Sequence, residues 1–416
     1  MKMRVILHSD VNNFFASVEC SNRPELKDKP VAVAGDPEKR TGIILAKNEL
    51  AKKFGVKTGD TLWQARNKCK DIVFLKPHMS LYEKISKRLH EIYLSYTDLV
   101  EPLGLDECFL DITPSLKYLQ KTGKEVADEI RKRVKEELNL TVSVGVSFTM
   151  VYAKLGSDLK KPDATTLISY ENFKKIAYPL PLDSIVGIGR RLYRKFSERG
   201  IDTIGKFCAL PEDYIKLKLN KTGQELYKEL KGEIFTQPKC YYNLDPPKSF
   251  GNGTTTIVDI IKREDISKVV AFLCEKISSR LAEHGYMGST IRVSVRSAES
   301  LKFTSHSQKI NPTFSAHTLY EDAMKLLDSF FNYDYKVRSI RVSVSSLSKS
   351  ITRQISMFDE KQTRLTESIK DIRDKYGYKS IFLASDNASY INTSKFMDSD
   401  VEASFEFFLD FENLDE

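Results

Sequence analysis

Apolar residues recur along the chain with two different periods, and the switches between them predict a succession of modules. Residues 3–8 read as a short apolar strand running into Ser9-Asp10, and Asn12 and Asn13 can cap a helix from Phe14 to about Cys20. From 22 to 78 the elements are short and rich in Lys and Gly, with a helix predicted over 48–54. Helical periodicity covers 81–96, and two strands over 99–105 and 108–112 meet at Asp106-Glu107. Val126, Ile130, Val134 and Leu138 share a helical face, while Val142, Val144 and Val146 alternate as a strand. Strand–helix–strand–strand–helix–strand around a carboxylate-bearing hairpin predicts an α+β sheet layered with helices.

A second, mostly helical module spans 169–236, and Pro238 with Asp245-Pro246-Pro247 reads as a linker over 237–247. The third module, 248–350, has strand character over 254–258 and a helical stripe at Ile266, Val269, Leu273, Ile277 and Leu281. Ile291, Val293 and Val295 alternate with Arg292, Ser294 and Arg296. After a predicted helix over 316–331, Ile340, Val342 and Val344 alternate with Arg341, Ser343 and Ser345. One sheet face is therefore expected to be apolar beneath two helices, the other basic and hydroxylic.

Composition narrows the class. The 416 residues are 41% hydrophobic and 29% charged, a globular balance that excludes global disorder. The net charge of +8 is uneven: residues 351–416 hold 8 basic and 14 acidic side chains, a net of −6, so 1–350 carries +14. A basic body points to a polyanionic partner. The apolar run at the start is too short for a signal peptide, and no window approaches the 18 or so apolar residues of a membrane span. The six cysteines lie at least 32 residues apart without CxxC pairs, as in reduced intracellular proteins. A soluble cytoplasmic protein with no membrane partner is expected.

Asp10 and Asp106-Glu107 carry the candidate chemistry. Adjacent central strands would bring the three carboxylates together, where they repel unless divalent cations neutralise them, and such oxygen-rich sites suit Mg²⁺. The runs Asp10-Val11-Asn12-Asn13-Phe14-Phe15-Ala16-Ser17-Val18-Glu19 and Gly104-Leu105-Asp106-Glu107-Cys108-Phe109-Leu110-Asp111 resemble the Y-family DNA polymerases. Their bacterial DinB, or polymerase IV, branch is the most similar in plan, and the likeness covers about 1–350 with its elements in order. It implies a multidomain α+β right hand: a palm (1–12 and 79–168), small fingers (13–78), a helical thumb with a helix-hairpin-helix (169–236), and a βαββαβ little finger (248–350). It also implies two Mg²⁺ ions held by Asp10, Asp106, Glu107 and the main-chain carbonyl of Val11, for addition of deoxynucleotides to a primer 3′-hydroxyl across damaged template. The family's usual Asp-x-Asp opening is here Asp10-Val11-Asn12.

A Phe-Phe pair is ordinarily two core aromatics, but the resemblance implies nucleotide contacts for Phe14 and Phe15, with Phe15 as the steric gate against a ribose 2′-hydroxyl. Residues 46–57 resemble the segment that holds the triphosphate, with Lys52 where the family often has Arg. Glu49 stands where a phosphate-contacting Tyr is usual, so its carboxylate is expected to point elsewhere. Lys160-Lys161-Pro162 resembles a second element whose lysine, here Lys161, reaches the triphosphate. Gly42-Ile43-Ile44-Leu45 matches the roof over the nascent base pair, with bulky Ile43 and Leu45.

Val186-Gly187-Ile188-Gly189, followed by Leu192, Phe196, Gly200-Ile201 and Ile204-Gly205, has helix-hairpin-helix spacing. Gly187 and Gly189 would let backbone amides approach a phosphate, with Arg190 and Arg191 adding charge. The third module fits the family's little finger, in which Arg292, Arg296 and Arg341 would grip phosphates without reading bases. Gln354-Ile355-Ser356-Met357-Phe358 resembles the bacterial sliding-clamp-binding pentapeptide. The expected partners are primer–template DNA, deoxynucleoside triphosphates and the clamp, the expected state a monomer, and no segment reads as a proofreading exonuclease. Two other classes compete: a catalytically silent DNA- and clamp-binding accessory protein, and a nucleotidyl cyclase sharing a palm-type sheet.

Overall fold

The computed structural model describes residues 4–21, 23–36 and 42–349, with Ser368, Ile372 and Lys375 helical beyond them. Its contacts divide the chain into two units, with the main boundary between Leu244 and Asp245.

The first unit begins with β1 (Ile6–Val11) and α1 (Phe14–Ser21). A small sheet follows from β2 (Val31–Ala34), β3 (Ile44–Lys47), the short helices α2 (Glu49–Lys53) and α3 (Leu62–Lys68), and β4 (Val73–Leu75), in the order β3–β2–β4. These strands are three or four residues long, too short for an alternation to register in the sequence, and Ala32, Ala34, Ile44, Ala51 and Ala65 give them their own small core. Then come α4 (Met79–Leu94), β5 (Val100–Pro102), β6 (Glu107–Asp111), α5 (Leu116–Leu119), α6 (Gly123–Leu138), β7 (Val142–Ser147), α7 (Met150–Leu159) and β8 (Thr165–Ile168). A Thr122–Glu125 capping box starts α6, and Asn139 ends it in the left-handed region, which favours residues of its type.

The larger sheet has the order β5–β6–β1–β7–β8, with β1 at its centre. Strand alternation gives its two faces different chemistry. Leu7 and Val11 of β1, Cys108 and Leu110 of β6, and Val142, Val144 and Val146 of β7 belong to one core with Leu89, Tyr93, Val126, Ile130 and Val134 of α4 and α6. The opposite face carries His8, Asp10, Glu107, Ser143 and Gly145, and α7 lies across it. Packing there is backbone against backbone. A Cβ on Gly145 would stand 1.9 Å from the Ala153 carbonyl oxygen and 2.5 Å from the Ser157 nitrogen, and one on Gly156 would stand 3.2 Å from the Gly145 Cα.

Helices α8 (Phe173–Ala177), α9 (Arg190–Ser197), α10 (Ile204–Cys208), α11 (Glu212–Lys218) and α12 (Lys221–Leu230) complete this unit. Their core, with Phe173, Phe196, Phe207 and Tyr227, also takes in Tyr152 and Leu155 of α7, so one helix serves both the sheet and the helical cluster. The start of the 237–247 stretch is tied to this unit: the Lys239 N–H donates to Glu101 and the Tyr241 N–H to the Asp98 carbonyl.

The second unit runs β9 (Ser249–Ile260), α13 (Arg263–Glu283), β10 (Tyr286–Ser297), β11 (Phe303–Thr313), α14 (Ala316–Phe330) and β12 (Val337–Lys349). Its sheet is antiparallel throughout in the order β11–β10–β12–β9. Ile291, Val293, Val295, Ile340, Val342 and Val344 pack beneath the two helices with Val269, Leu273, Ile277, Leu319 and Leu327. Strand β11 carries no apolar alternation because it is an edge strand exposed along almost its whole length.

Two details differ from the sequence reading. The first strand is displaced toward the C-terminus, so Asp10 lies within β1 and not past it; His8, Ser9 and Asp10 are polar yet buried, because helices cover both faces. At the start of α1 the Asn13 carbonyl accepts the first helical bond, from the Ser17 N–H, while the asparagine side chains reach other elements. The Asn12 side chain bonds Thr141 and Ser143, and that of Asn13 donates to Glu49.

The Gly145 contact yields a stability prediction. Gly145→Ala forces α7 off the sheet, and overpacking of this kind costs about 1–3 kcal/mol. A fall in Tm of several degrees is expected by thermal denaturation, together with loss of whatever chemistry α7 helps to position; a Tm within one degree of the parent would contradict backbone-to-backbone packing here.

Candidate active site

Pairing register puts the acidic residues side by side. Asp10 on β1 is the direct partner of Glu107 on β6 and of Ser143 on β7, so the two carboxylates share one row of the α7-facing side. Asp106 ends the β5–β6 turn, and its carbonyl accepts a 3.0 Å bond from the Val11 N–H. Gly104 lets this turn close with a φ of +94°. Helix α7 contributes Lys154 and Asp158, and Lys161 follows just beyond its end. The Lys154 Nζ lies 3.1 Å from Asp10 Oδ2, 2.8 Å from Glu107 Oε2 and 3.7 Å from Asp158 Oδ2. The Lys161 Nζ lies 2.7 Å from the same Asp10 oxygen and 2.8 Å from Asp158 Oδ1.

The electrostatics follow from that crowding. Burial, then the neighbouring Glu107 and Asp10 carboxylates, push the Asp106 carboxyl up to about 7. Burial also opposes the charge on Lys154, but Glu107, Asp10 and Asp158 outweigh it and hold the ammonium above the usual lysine range. Lys161 is raised in the same way, burial being outweighed by Asp10 and Asp158. The buried His8 ring lies at 2.9 Å, through Nδ1, from the Ser157 hydroxyl. That hydroxyl also lies 2.7 Å from the Lys154 carbonyl. Nε2 has no hydrogen-bond partner and faces Glu107 Oε2 at 3.4 Å. Burial pushes the His8 pKa well down, so the ring is neutral.

These residues suit a hard divalent cation in donor chemistry: oxygen ligands only, on a rigid sheet, with a like-charge repulsion that a cation relieves. They are not gathered as a finished ligand set. Among the described residues no three His, Cys, Asp or Glu side chains stand ready to hold a metal ion, and it is the Lys154 ammonium that lies between Asp10 and Glu107.

Next to the acids, Phe14 is buried in the sheet's main core, whereas Phe15 is half-buried and stacks on Tyr82 at 4.3 Å between ring centroids. The Tyr82 hydroxyl donates to Glu19 at 2.7 Å, and Glu19 also meets His78 at 2.6 Å and Arg23 at 3.3 Å. Asn13 donates to Glu49 at 2.9 Å, and Lys52 Nζ stands at 3.4 Å from the same oxygen. Ile43 is exposed and Ile44 fully buried.

In the helical cluster, Gly187 adopts a φ of +96° and Gly189 is the N-cap of α9, with Ile188 buried between them. Arg190, Arg191, Arg194 and Lys195 are exposed along the helix, and Thr203 caps α10. In the second unit, register sets Ser307, Arg292, Ser343 and Gly251 in one row across the sheet, and Ser305, Ser294, Arg341 and Gly253 in the next. Arg292 bonds the Ser307 hydroxyl at 3.1 Å, while Arg296 donates to the Leu301 carbonyl at 2.8 Å and covers the Phe303 ring. The pentapeptide Gln354–Phe358 lies outside the described residues. No helix among the described residues is long and apolar enough to cross a membrane, and all six cysteines are free thiols.

Sequence reasoning missed Lys154, Asp158 and His8. A signal was there: Lys154 and Asp158 are spaced i, i+4, which sets them on one helical face, and His8 shares the parity of Asp10 on its strand.

Comparison with known proteins agrees with this geometry. Residues 9–158 match the model of the impB/mucB/samB family, and residues 247–357 match that of the family's C-terminal domain. The chain is 40% identical over 385 residues to DNA polymerase IV of Acetivibrio thermocellus, covering 91% of this chain and 96% of that one. It is 35% identical over 393 residues to DNA polymerase IV 2 of Bacillus subtilis, covering 92% and 95%. Among solved structures, a Y-family DNA polymerase chimera has the same fold, with a TM-score of 0.72 at 23% identity over 82% of this chain and 98% of the chimera. With two family models matched in order and relatives aligned nearly end to end, the chain belongs to the impB/mucB/samB family, the Y-family DNA polymerases of the polymerase IV type.

Proposed function

We propose that this translesion DNA polymerase extends a primer 3′-hydroxyl at the part of the sheet marked by Asp10, Asp106 and Glu107, with two Mg²⁺ ions as cofactors. The observation that carries the reading is the direct register of Asp10 with Glu107, both carboxylates meeting one ammonium. Asp10, Asp106, Glu107 and the Val11 carbonyl would hold the ions. When bound, these lower the pKa of the attacking hydroxyl and shield charge on the triphosphate. The chain's own groups do the rest. Lys161, tethered at 2.7 Å to Asp10, stands where an incoming triphosphate would meet it, and Lys52 offers a second cation. The Phe15 ring, held by its stack on Tyr82, fills the space beside the sugar; it cannot accept a hydrogen bond, so a 2′-hydroxyl meets both a clash and an unmade bond. Phe14, being in the core, sets the position of that ring.

In this reading the sheet carrying the acids is the palm, 13–78 the fingers, 169–236 the thumb and 248–350 the little finger. Backbone amides at Gly187 and Gly189, with Arg190 and Arg191, take one stretch of duplex phosphate. Arg292, Arg296 and Arg341 take another, giving affinity without base reading. Low processivity follows from so few specific contacts, and Gln354–Phe358 would restore residence by docking in a sliding clamp. The enzyme acts as a monomer in the bacterial cytoplasm. A silent accessory protein would have no use for a half-buried carboxylate crowded against two others, which disfavours that class.

Two substitutions test the roles. Asp106→Ala is expected to reduce Mg²⁺-dependent primer extension to background while duplex binding and Tm are kept or improved, since the change removes a repelling carboxylate; undiminished extension would remove the acids from the mechanism. Phe15→Ala is expected to cut the preference for deoxy- over ribonucleotides by roughly 10²-fold in single-nucleotide insertion kinetics, and an unchanged preference would refute the gate.

A further inference from the structure

The contacts that tie α7 to the acids have a consequence for metal binding. The Lys154 ammonium is nearly buried, its side chain 10% exposed, and touches Asp10 Oδ2 and Glu107 Oε2 together. A divalent ion held by the same two carboxylates would compete with the ammonium for their charge. The lysine side chain has a second carboxylate within reach: Asp158, one turn along α7, is 3.7 Å from the ammonium through Oδ2, more exposed, and paired with Lys161 through its other oxygen.

We propose that Lys154 is the resident cation of this site, holding Asp10 and Glu107 together until a divalent ion displaces it onto Asp158, and so sets the threshold for metal loading. Lys154 is thereby a positioning residue for the metal ligands, and Asp158 is its receiving carboxylate. The proposal rests on the assignment of Asp10 and Glu107 as metal ligands, and the test separates the two.

The test is Mn²⁺ titration of the full-length protein, without DNA or nucleotide, followed by electron paramagnetic resonance of free Mn²⁺. Removing one positive charge at contact distance tightens cation binding, so Lys154→Met is expected to bind Mn²⁺ about tenfold or more tightly than the parent. Asp158→Asn, which removes the receiving group, is expected to bind it more weakly. A lysine that merely braced the fold would give the opposite result for Lys154→Met, weaker binding through a disordered site; unchanged or weaker binding there overturns the proposal. Asp10→Asn is the control. If it abolishes Mn²⁺ binding while Lys154→Met leaves it unaltered, only the role of Lys154 fails. If it leaves Mn²⁺ binding intact, the ligand assignment fails and the proposal with it. Should Lys154→Met not fold, the parent labelled with ¹⁵N at lysine Nζ gives a second readout. Its protected Lys154 ammonium signal, assigned with Lys154→Arg, is expected to shift and lose protection on adding Mg²⁺, and persistence of that signal at saturating Mg²⁺ overturns the proposal.

Discussion

Three carboxylates on and beside the central strands of one sheet repel each other, and much of the first unit can be read as the means of holding them there. Asp10 and Glu107 are fixed by strand register, Asp106 by a turn whose carbonyl bonds the Val11 amide. The repulsion shows in Asp106, whose carboxyl is pushed up to about 7 by burial and its two acidic neighbours. Lys154 and Lys161 offset it from a helix that reaches the sheet only because Gly145 and Gly156 carry no side chain. Remove the close approach of that helix and the acids lose their counter-charge.

The same helix couples chemistry to the rest of the unit. Its inner side meets Asp10 and Glu107, while Tyr152 and Leu155 on its outer side lie in the core of the helical cluster that carries the Gly187–Gly189 turn. A second chain of contacts runs from Arg23 and His78 through Glu19 to Tyr82 and then to Phe15, so that ring is braced through Tyr82 by a buried carboxylate. The second unit is built on a different plan: an apolar face covered by two helices, and an open face of Arg, Ser and Gly in straight cross-strand rows.

Much of this was legible in the sequence because burial leaves a periodic trace. The stripe from Ile266 to Leu281 and the alternations at 291–295 and 340–344 mark the second unit's core directly. The acids could be placed because they sit where apolar strands end or meet. What stayed hidden lacked such a trace. The strands of the small sheet are too short to show a period, and Phe303–Thr313 is exposed on both sides. Polar residues buried by tertiary contact read as surface: His8, Ser9 and Asp10 extend β1 beyond the point where its apolar run stops, and Asn12 and Asn13 look like caps although their partners are on other elements. Lys154 was the costliest omission. A lysine within a helix is usually solvated, and nothing local announces that its partners lie 144 and 47 positions earlier in the chain.

The central claim is that these carboxylates converge on cations beside the nucleotide. It is tested most directly by crystals of the protein with primer–template, a non-hydrolysable deoxynucleotide and Mn²⁺, measured for anomalous scattering. The account predicts Mn²⁺ peaks bridging Asp10, Asp106 and Glu107 to the triphosphate, with the Lys154 ammonium moved off Asp10 and Glu107. Peaks confined to other residues, with Lys154 still between the two acids, would contradict it.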